Sequence, residues 1–199
     1  KSVSTLVATD FSKAFDRIDH RIAIEKLLAM NVSPSLVAWI SSFLSNREQC
    51  VRYMCEHSQW ESITAGAPQG TRLGPLIFLC MVNDACRDSP CWKYVDDMTL
   101  LECRRAIAPS TIQTHVNELA EWTEQNKMKL NPKKCVVMNV QFVRTETVAP
   151  KITIGTHELN EVSVVKLLGV LVQNDLKWSF HVDEITKRAN MRLHMLRIL

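Results

Sequence analysis

The sequence predicts an α+β domain with a largely antiparallel sheet. Strand-like and helix-like patterns alternate irregularly along the 199 residues. The composition, 46% hydrophobic and 23% charged, is ordinary for a soluble globular protein, and this length is enough to bury a sizeable core. Both observations argue against disorder. The formal net charge of +3 is too small to identify a class of partner.

The first half of the chain predicts a strand, two helices, a pair of strands and a third helix. The segment Val3–Thr9, which includes the apolar run Leu6–Thr9, is predicted to be a strand at the very start, and this suggests that the sequence is part of a longer protein. Asp16 or Asp19 can cap the first helix, and Ser33 followed by Pro34 is typical of the start of the second. The elements that follow are strands over Glu48–Cys55 and Trp60–Thr64, a loop over Gly66–Gly74 and a helix over Pro75–Cys86.

The second half predicts a hairpin, a long helix and further strands. Ser110 can cap the helix, whose apolar residues Ile112, Val116 and Leu119 lie on one side. The pattern loosens near Val143–Pro150. The predicted strands are Lys93–Val95, Met98–Leu101, Cys135–Val140, Ile152–Thr156 and Val162–Val172.

The cysteines favour a reduced, intracellular compartment, and the hydropathy of the chain predicts no membrane span. The seven cysteines include no C-x-x-C pair, and the spacing of Cys50, Cys55 and His57 fits no common zinc site. The longest apolar run, Leu76–Val82, is far shorter than the roughly 20 residues that cross a bilayer. The sequence therefore predicts neither a membrane span nor a signal peptide.

Aspartates at predicted strand ends are the candidate chemical groups. Asp10 ends an apolar strand, and Asp96 and Asp97 lie at the tip of a predicted hairpin. An Asp pair at a turn is usually only a polar turn, and Gln69-Gly70 could be only a tight loop. Mg²⁺ prefers carboxylate oxygens and needs few of them, so Asp10 and Asp96 could hold it if their strands were adjacent.

The order of the motifs resembles the reverse transcriptases, most closely the non-LTR (LINE-type) branch. Residues 10–16 (DFSKAFD), 67–76 (APQGTRLGPL) and 93–97 (KYVDD) resemble the first three palm motifs of that family. Residues 130–134 (LNPKK) and 166–170 (KLLGV) resemble the fourth motif and the primer grip. Group II intron and telomerase-type polymerases fit less well, and an RNA-dependent RNA polymerase would more often have glycine before the Asp pair.

The resemblance implies an RNA-directed DNA polymerase that joins a dNTP to a DNA primer on an RNA template, using two Mg²⁺ ions or Mn²⁺. It implies Asp10, Asp96 and Asp97 as catalytic, metal-binding carboxylates, with the Phe11 carbonyl as a further ligand. The implied substrate-binding residues are Phe15, Gln69, Gly70 and Lys134, and the implied primer grip is Leu168 and Gly169.

Three of these implied roles have ordinary alternatives. Phe15 falls where the family places an aromatic gate against a 2′ hydroxyl, but it could be a core aromatic. Gly70 would let the backbone come close to the nucleotide and template. Lys134 either assists the leaving pyrophosphate or is a solvated lysine before a strand.

The resemblance also implies a domain plan. Residues 1–172 are expected to form the palm, with 17–66 as partial fingers and palm helices, and 173–199 the truncated start of a thumb. The segment Ile185–Leu199 predicts a helix with a basic face and no acidic residue, although a solvated face is the simpler interpretation. The residues of the basic face are Lys187, Arg188, Arg192 and Arg197.

Two residues depart from the family pattern, which usually has a small or apolar residue at Arg72 and a threonine at Met98. The sequence also lacks the family's upstream fingers segment and endonuclease domain, so we expect this fragment alone to be nearly inactive. The alternative is a decayed or domesticated relic that binds RNA or RNA–DNA hybrid without catalysis. The intact carboxylates favour the enzyme, whose parent element is expected in the nucleus and in cytoplasmic ribonucleoprotein.

Overall fold

The computed structural model describes residues 2–142 and 150–198. The predicted loosening at 143–150 therefore falls almost wholly outside the described residues. The helices are α1 (His20–Ala29), α2 (Pro34–Leu44), α3 (Leu73–Val82), α4 (Ile112–Gln125) and α5 (Ser179–Ile198), with a 3-10 turn at Phe15–Arg17. The strands are β1 (Ser2–Thr9), β2 (Arg47–Gln49), β3 (Arg52–Tyr53), β4 (Glu56–His57), β5 (Glu61–Ile63), β6 (Cys91–Tyr94), β7 (Asp97–Arg105), β8 (Val136–Gln141), β9 (Thr153–Ile154), β10 (His157–Glu158), β11 (Asn160–Glu161), β12 (Val164–Leu167) and β13 (Val170–Gln173).

Five of the described strands form the central sheet, in the order β11-β8-β1-β7-β6. All neighbours in it are antiparallel except β11 and β8. The predicted α+β class with a largely antiparallel sheet is therefore confirmed.

The middle strand β1 is buried on both faces. Val7 lies in the main core with the helices, whereas Leu6 packs on the other side with Met138 and Val165. A strand covered on both faces has no solvent side for polar residues to occupy. This explains why Leu6, Val7 and Ala8 follow one another in β1 without a polar residue, and why the buried Thr5 hydroxyl donates a hydrogen bond to the Asn139 Oδ1 at 2.8 Å.

Two helix starts differ in how well the sequence predicted them. The Asp19 side chain caps α1, as expected, by accepting a hydrogen bond from the Ile22 N–H at 3.1 Å. The predicted cap Ser110 lies one residue before Thr111, the N-cap residue of α4, although its Oγ still accepts the Ile112 N–H at 3.4 Å. The carboxylate of Glu102 in β7 accepts the Thr111 N–H at 2.5 Å and the Ser110 hydroxyl at 2.6 Å, so a residue distant from the helix start completes the cap.

The pair of strands predicted over residues 48–64 is shorter than expected. Arg47–Gln49 pairs with Glu61–Ile63, and Arg52–Tyr53 pairs separately with Glu56–His57. Most side chains of these strands are exposed. Because these strands bury few apolar side chains, they form two short ladders instead of one continuous ladder.

The last part of the chain is a hairpin followed by a long helix. Strands β12 and β13 pair with each other, and the Gln173 side chain caps α5 by accepting the Phe180 N–H at 2.9 Å. None of the residues of Ser179–Ile198 is buried. Within the described residues no helix is both long and apolar enough to cross a bilayer.

Candidate active site

The Asp pair lies on a tight hairpin, as the sequence predicts. Strand β6 ends at Tyr94, β7 begins at Asp97, and Val95 and Asp96 form the two-residue turn between them. Val95 has a φ of 55°, which is unusual for a β-branched residue and indicates local strain. The turn holds Asp96 at the tip and Asp97 at the first position of β7.

Strand pairing brings Asp10 to the same edge of the sheet. Thr9 lies opposite Met98 in the β1–β7 ladder, so Asp10 follows β1 directly beside Asp97. The Asp10 backbone is held on its other side, where its carbonyl accepts the Asn131 N–H at 2.8 Å and its N–H donates to the Cys135 Sγ at 3.4 Å. Neither of these hydrogen bonds was predicted from the sequence, although Asn131 belongs to the LNPKK run that resembles the fourth motif.

The carboxylate of Asp97 is affected electrostatically by the other two. Burial raises the pKa of Asp97, and the negative charges of Asp96 and Asp10 raise it further. Like charges gathered at the edge of a sheet are unfavourable unless a cation accompanies them. This cluster therefore attracts cations.

One carboxylate oxygen of Asp10 is also poorly satisfied. Its Oδ2 atom is buried and has no hydrogen-bond partner among the described residues. The nearest cation is the Lys134 Nζ, at 3.6 Å. Lys134 therefore reaches the carboxylate site instead of being only solvated.

These donors fit a divalent ion, because Mg²⁺ prefers hard carboxylate oxygens and completes its shell with water and phosphate. In the described parts of the chain, no group of three or more His, Cys, Asp or Glu side chains is already arranged as a metal site. The metal-binding roles of Asp10, Asp96 and Asp97 stay predictions, as does that of the carbonyl of Phe11, a buried residue bridged to Leu130.

A cavity of about 670 Å³ opens beside the carboxylates, and we call it the carboxylate cavity. Asp10, Asp97 and Lys134 line it, and so does Leu168 from the β12–β13 hairpin. Leu168 and Gly169 form the turn of that hairpin with φ values of 47° and 89°, the signs of a type I′ turn. Leu168 of the predicted primer grip thus lines the same space as Asp10 and Asp97, and the binding role of the primer grip stays a prediction.

The loop around Gln69 lies at a second cleft with Asp16. The Gln69 Nε2 donates to the Asp16 Oδ1 at 3.2 Å. Gly70 has a φ of 77°, and an added Cβ would meet no described atom within 4 Å, so its conformation and not crowding favours glycine. Crowding applies instead at Gly74, where a Cβ would lie 2.7 Å from the Pro68 carbonyl oxygen.

Phe15 makes the contacts of a core aromatic. Its ring stacks on the fully buried Phe78, with ring centroids 4.7 Å apart. The side chain is only partly buried, so one part of it still faces outward. The gate role implied by the resemblance stays a prediction, and the core role is supported by direct contact.

The basic helix is less uniform than the sequence suggested. The Arg188 Nη2 lies 2.6 Å from the Glu184 Oε1, so one of the four charges expected to be uncompensated is paired. The basic segment predicted from the sequence begins at Ile185 and therefore does not include Glu184. Lys187, Arg192 and Arg197 have no ion pair with any described residue, and nucleic-acid binding by the four basic residues stays a prediction.

Arg72 and Met98, the two residues that depart from the family pattern, both have an ordinary structural role. Arg72 is the N-cap residue of α3 and makes no side-chain cap hydrogen bond. Met98 is 1% exposed in the main core, where a flexible apolar side chain fills space that a threonine would leave. Neither residue removes a carboxylate.

Solved structures show which class of fold this is. The apo telomerase of Candida tropicalis, truncated from its C-terminal domain, matches 88% of this chain and 35% of its own, with a TM-score of 0.62 and 12% identity. Telomerase of the same species in complex with a TWJ fragment of telomeric RNA matches 88% and 30%, with a TM-score of 0.59 and 12% identity. At such identity the likeness shows the fold alone, and that fold is a polymerase palm.

The sequence comparison is more specific. The family model described as reverse transcriptase (RNA-dependent DNA polymerase) matches residues 1–172, and the chain therefore belongs to the reverse transcriptase family. The enzyme class predicted from the sequence, RNA-directed DNA polymerase, is confirmed at the level of this family.

The curated relatives come from mobile elements. The chain is 27% identical to the RNA-directed DNA polymerase from mobile element jockey of Drosophila melanogaster, over 92% of this chain and 21% of that protein. It is 28% identical to the probable RNA-directed DNA polymerase from transposon BS of the same fly, over 100% and 23%. These matches confirm the predicted non-LTR resemblance, and the chain spans about a fifth of the length of these relatives.

Proposed function

We propose that this chain is the catalytic palm of a retrotransposon polymerase that adds dNTPs to a DNA primer on an RNA template. The supporting observation is the meeting of Asp10 with Asp96 and Asp97 at one edge of the sheet, where burial and then the charges of Asp96 and Asp10 raise the pKa of Asp97. Residues about 86 positions apart are brought together only by the β1–β7 pairing.

The carboxylates of Asp10, Asp96 and Asp97, with the Phe11 carbonyl, would hold two Mg²⁺ ions, or Mn²⁺. When bound, such ions activate the primer hydroxyl and neutralise charge on the leaving pyrophosphate. The exposed ammonium of Lys134 sits beside Asp10, where it can donate to phosphate oxygens during the same step.

Substrates would approach from the two sides of this edge. The primer end lies in the carboxylate cavity, which Leu168 lines, and it contacts Leu168 and Gly169 of the β12–β13 turn. The incoming nucleotide lies on the side of Gln69 and Gly70, with Phe15 limiting space at the sugar. Phosphates of the hybrid contact the basic residues of α5, because phosphate contacts position a duplex without reading its sequence.

The domain plan is part of the same proposal. Residues 1–172 act as the palm, with 17–66 contributing palm helices and part of the fingers, and 173–199 begin the thumb. The parent element would work in the nucleus and travel in a cytoplasmic ribonucleoprotein, because the proposed reaction needs both a DNA primer and an RNA template.

Primer extension tests the proposal most directly. Residues 1–199 would replace the matching segment of the transposon BS polymerase, and the chimaera would extend a DNA primer on an RNA template. We expect Asp96→Asn to lower extension at least about a hundredfold, because losing a carboxylate ligand exceeds the cost typical of outer-shell changes. Affinity for the hybrid should stay nearly constant, since it depends mainly on phosphate contacts elsewhere.

The matched control is Asp88→Asn, which removes an exposed carboxylate outside the site. It should extend primers at the rate of the unaltered chimaera. Extension by the Asp96→Asn chimaera at that same rate would rule out the carboxylate assignment. An unaltered chimaera that binds hybrid tightly but never extends it would instead favour the non-catalytic relic.

A further inference from the structure

Two cysteines meet at the junction between α3 and β6. Cys86 lies four residues beyond the end of α3, and Cys91 is the first residue of β6. The Ser89 N–H donates to the Cys86 carbonyl at 3.3 Å, which folds the intervening segment into a turn. Both side chains are half-buried against the main core, and the two thiols interact, so that each shifts the pKa of the other.

A lysine clamps this junction. The Lys93 Nζ donates to the backbone carbonyls of Asn83 and Ala85, each at 2.9 Å, and to that of Val82 at 3.2 Å. These bonds fasten β6 to the end of α3. Segments that are already fastened together need little movement to accept a covalent link between them, although a disulfide demands specific geometry.

The surroundings give the two thiols different roles. The hydrogen bond from Cys86 lowers the pKa of Cys91 against the opposing effect of burial, and the positive charge of Lys93 lowers it further. The same hydrogen bond, followed by burial, raises the pKa of Cys86. Burial raises the pKa of the Cys80 and Cys135 thiols, which lack this partnership. Cys91 is thus the better nucleophile, and Cys86 keeps its proton.

We propose that Cys86 and Cys91 form a reversible thiol–disulfide pair, a redox modification site separate from the aspartate cluster. This site does not depend on the proposed polymerase activity. It also lies on the strand that leads to the Asp pair, so oxidation would fix the first residue of β6 covalently to the segment after α3.

The oxidant is a hydroperoxide such as hydrogen peroxide. The Cys91 thiolate attacks one peroxide oxygen, the O–O bond breaks, and the leaving oxygen takes up a proton to become water. The Cys86 sulfur then attacks the Cys91 sulfenic acid, the S–O bond breaks, and the Cys86 proton leaves with the hydroxyl group as a second water. Two sulfurs lose two electrons and the peroxide gains them, and a dithiol reductant reverses the change.

Peptide mapping of the folded 199-residue chain tests this. After brief treatment with equimolar hydrogen peroxide, free thiols are alkylated and the chain is digested with trypsin without reduction. Cleavage after Arg72, Arg87 and Lys93 separates the two cysteines into peptides 73–87 and 88–93. We expect these peptides as a linked pair that dithiothreitol separates, formed roughly tenfold faster than oxidation of the exposed Cys55 and Cys103.

Peptide 73–87 also contains Cys80, so the Cys80→Ser chain distinguishes the two possible links. It should still produce the linked pair, whereas Cys91→Ser should not. Loss of the linked pair in Cys80→Ser would overturn the proposal. So would a wild-type chain in which Cys55 and Cys103 oxidise while Cys91 stays a thiol, or a linked pair that forms only after unfolding in urea.

Discussion

Two hairpins line the carboxylate cavity, and they are attached to the rest of the protein in different ways. The β6–β7 hairpin is part of the central sheet, where β7 pairs with β1 along all of Ser2–Thr9. The β12–β13 hairpin lies outside that sheet and pairs within itself. Leu100 of the first hairpin is fully buried, whereas the turn residue Leu168 of the second is 62% exposed.

The two turns nevertheless share an unusual feature, a bulky non-glycine residue at positive φ: Val95 at 55° and Leu168 at 47°. Such conformations persist only where the surrounding structure enforces them. The contrast teaches that the aspartates are carried by the rigid centre of the molecule, while the predicted primer grip is carried by a peripheral element. Local opening should therefore begin at β12–β13 and not at β6–β7.

The largest expected difference is in core packing. Leu100→Ala should lower the free energy of unfolding by about 2 to 5 kcal/mol, because a fully buried leucine leaves a cavity. Leu171→Ala, at a half-buried position of β13, should cost less than about 2 kcal/mol. Urea unfolding of both variants measures this, and equal costs would contradict the contrast between the hairpins.

The next difference is in how each hairpin caps the helix that follows it. A carboxylate, Glu102, caps α4 from β7, whereas an amide, Gln173, caps α5 from β13. Burial raises the pKa of Glu102, but hydrogen bonds from Ser110 and Thr111 and the charge of Arg104 hold it below its ordinary value. Glu102→Gln should therefore cost about 1 to 3 kcal/mol at neutral pH.

The sign of the pH dependence follows from that lowered pKa. The stabilisation by Glu102 is fully present above the pKa of the unfolded chain and is lost as the pH falls through the folded-state pKa. Thermal unfolding from pH 7 to pH 3 should show wild type and Glu102→Gln converging in acid. A difference in stability that stays constant over this range would exclude the carboxylate as its source, and Gln173→Ala is the control without a titrating group.

A smaller effect comes from the strained turns. Asparagine tolerates positive φ, so Leu168→Asn should raise the free energy of unfolding by about 1 kcal/mol, since the exposed leucine loses little packing. Val95→Asn should gain less, because Val95 is packed against the main core. If chemical denaturation shows Leu168→Asn to be less stable than wild type, the leucine makes contacts that its exposure does not suggest.

The smallest effect concerns single charges on α5. Arg192→Gln should lower the salt slope of log K for an RNA–DNA hybrid by about 0.9, the value for one lost phosphate contact on a B-form duplex. Arg188→Gln should lower it less, because Glu184 already pairs with Arg188. Hybrid affinity measured across a salt series compares the two, and an unchanged slope in both variants would make this face an ordinary solvated surface.

Local sequence patterns predicted much of the fold. The apolar run before Asp10 predicted β1, the Asp19 cap predicted the start of α1, and the apolar flanks of the Asp pair predicted the β6–β7 hairpin. Local patterns failed where the partner is distant in sequence. Glu102 in β7 accepts hydrogen bonds from the Thr111 N–H and the Ser110 hydroxyl at the start of α4, and no periodicity near residue 110 contains that information.

The sequence by itself determined the α+β class, the order of the motifs and the membership in the reverse transcriptase family, because these depend on residue types and their succession. Only the tertiary structure decided that Asp10 lies beside Asp97, that Lys134 reaches Asp10 and that Leu168 borders the same cavity. The physical reason is strand register. Spacing along the chain limits which strands can pair, but burial of both faces of β1 selects the pairing that gathers these residues at one edge.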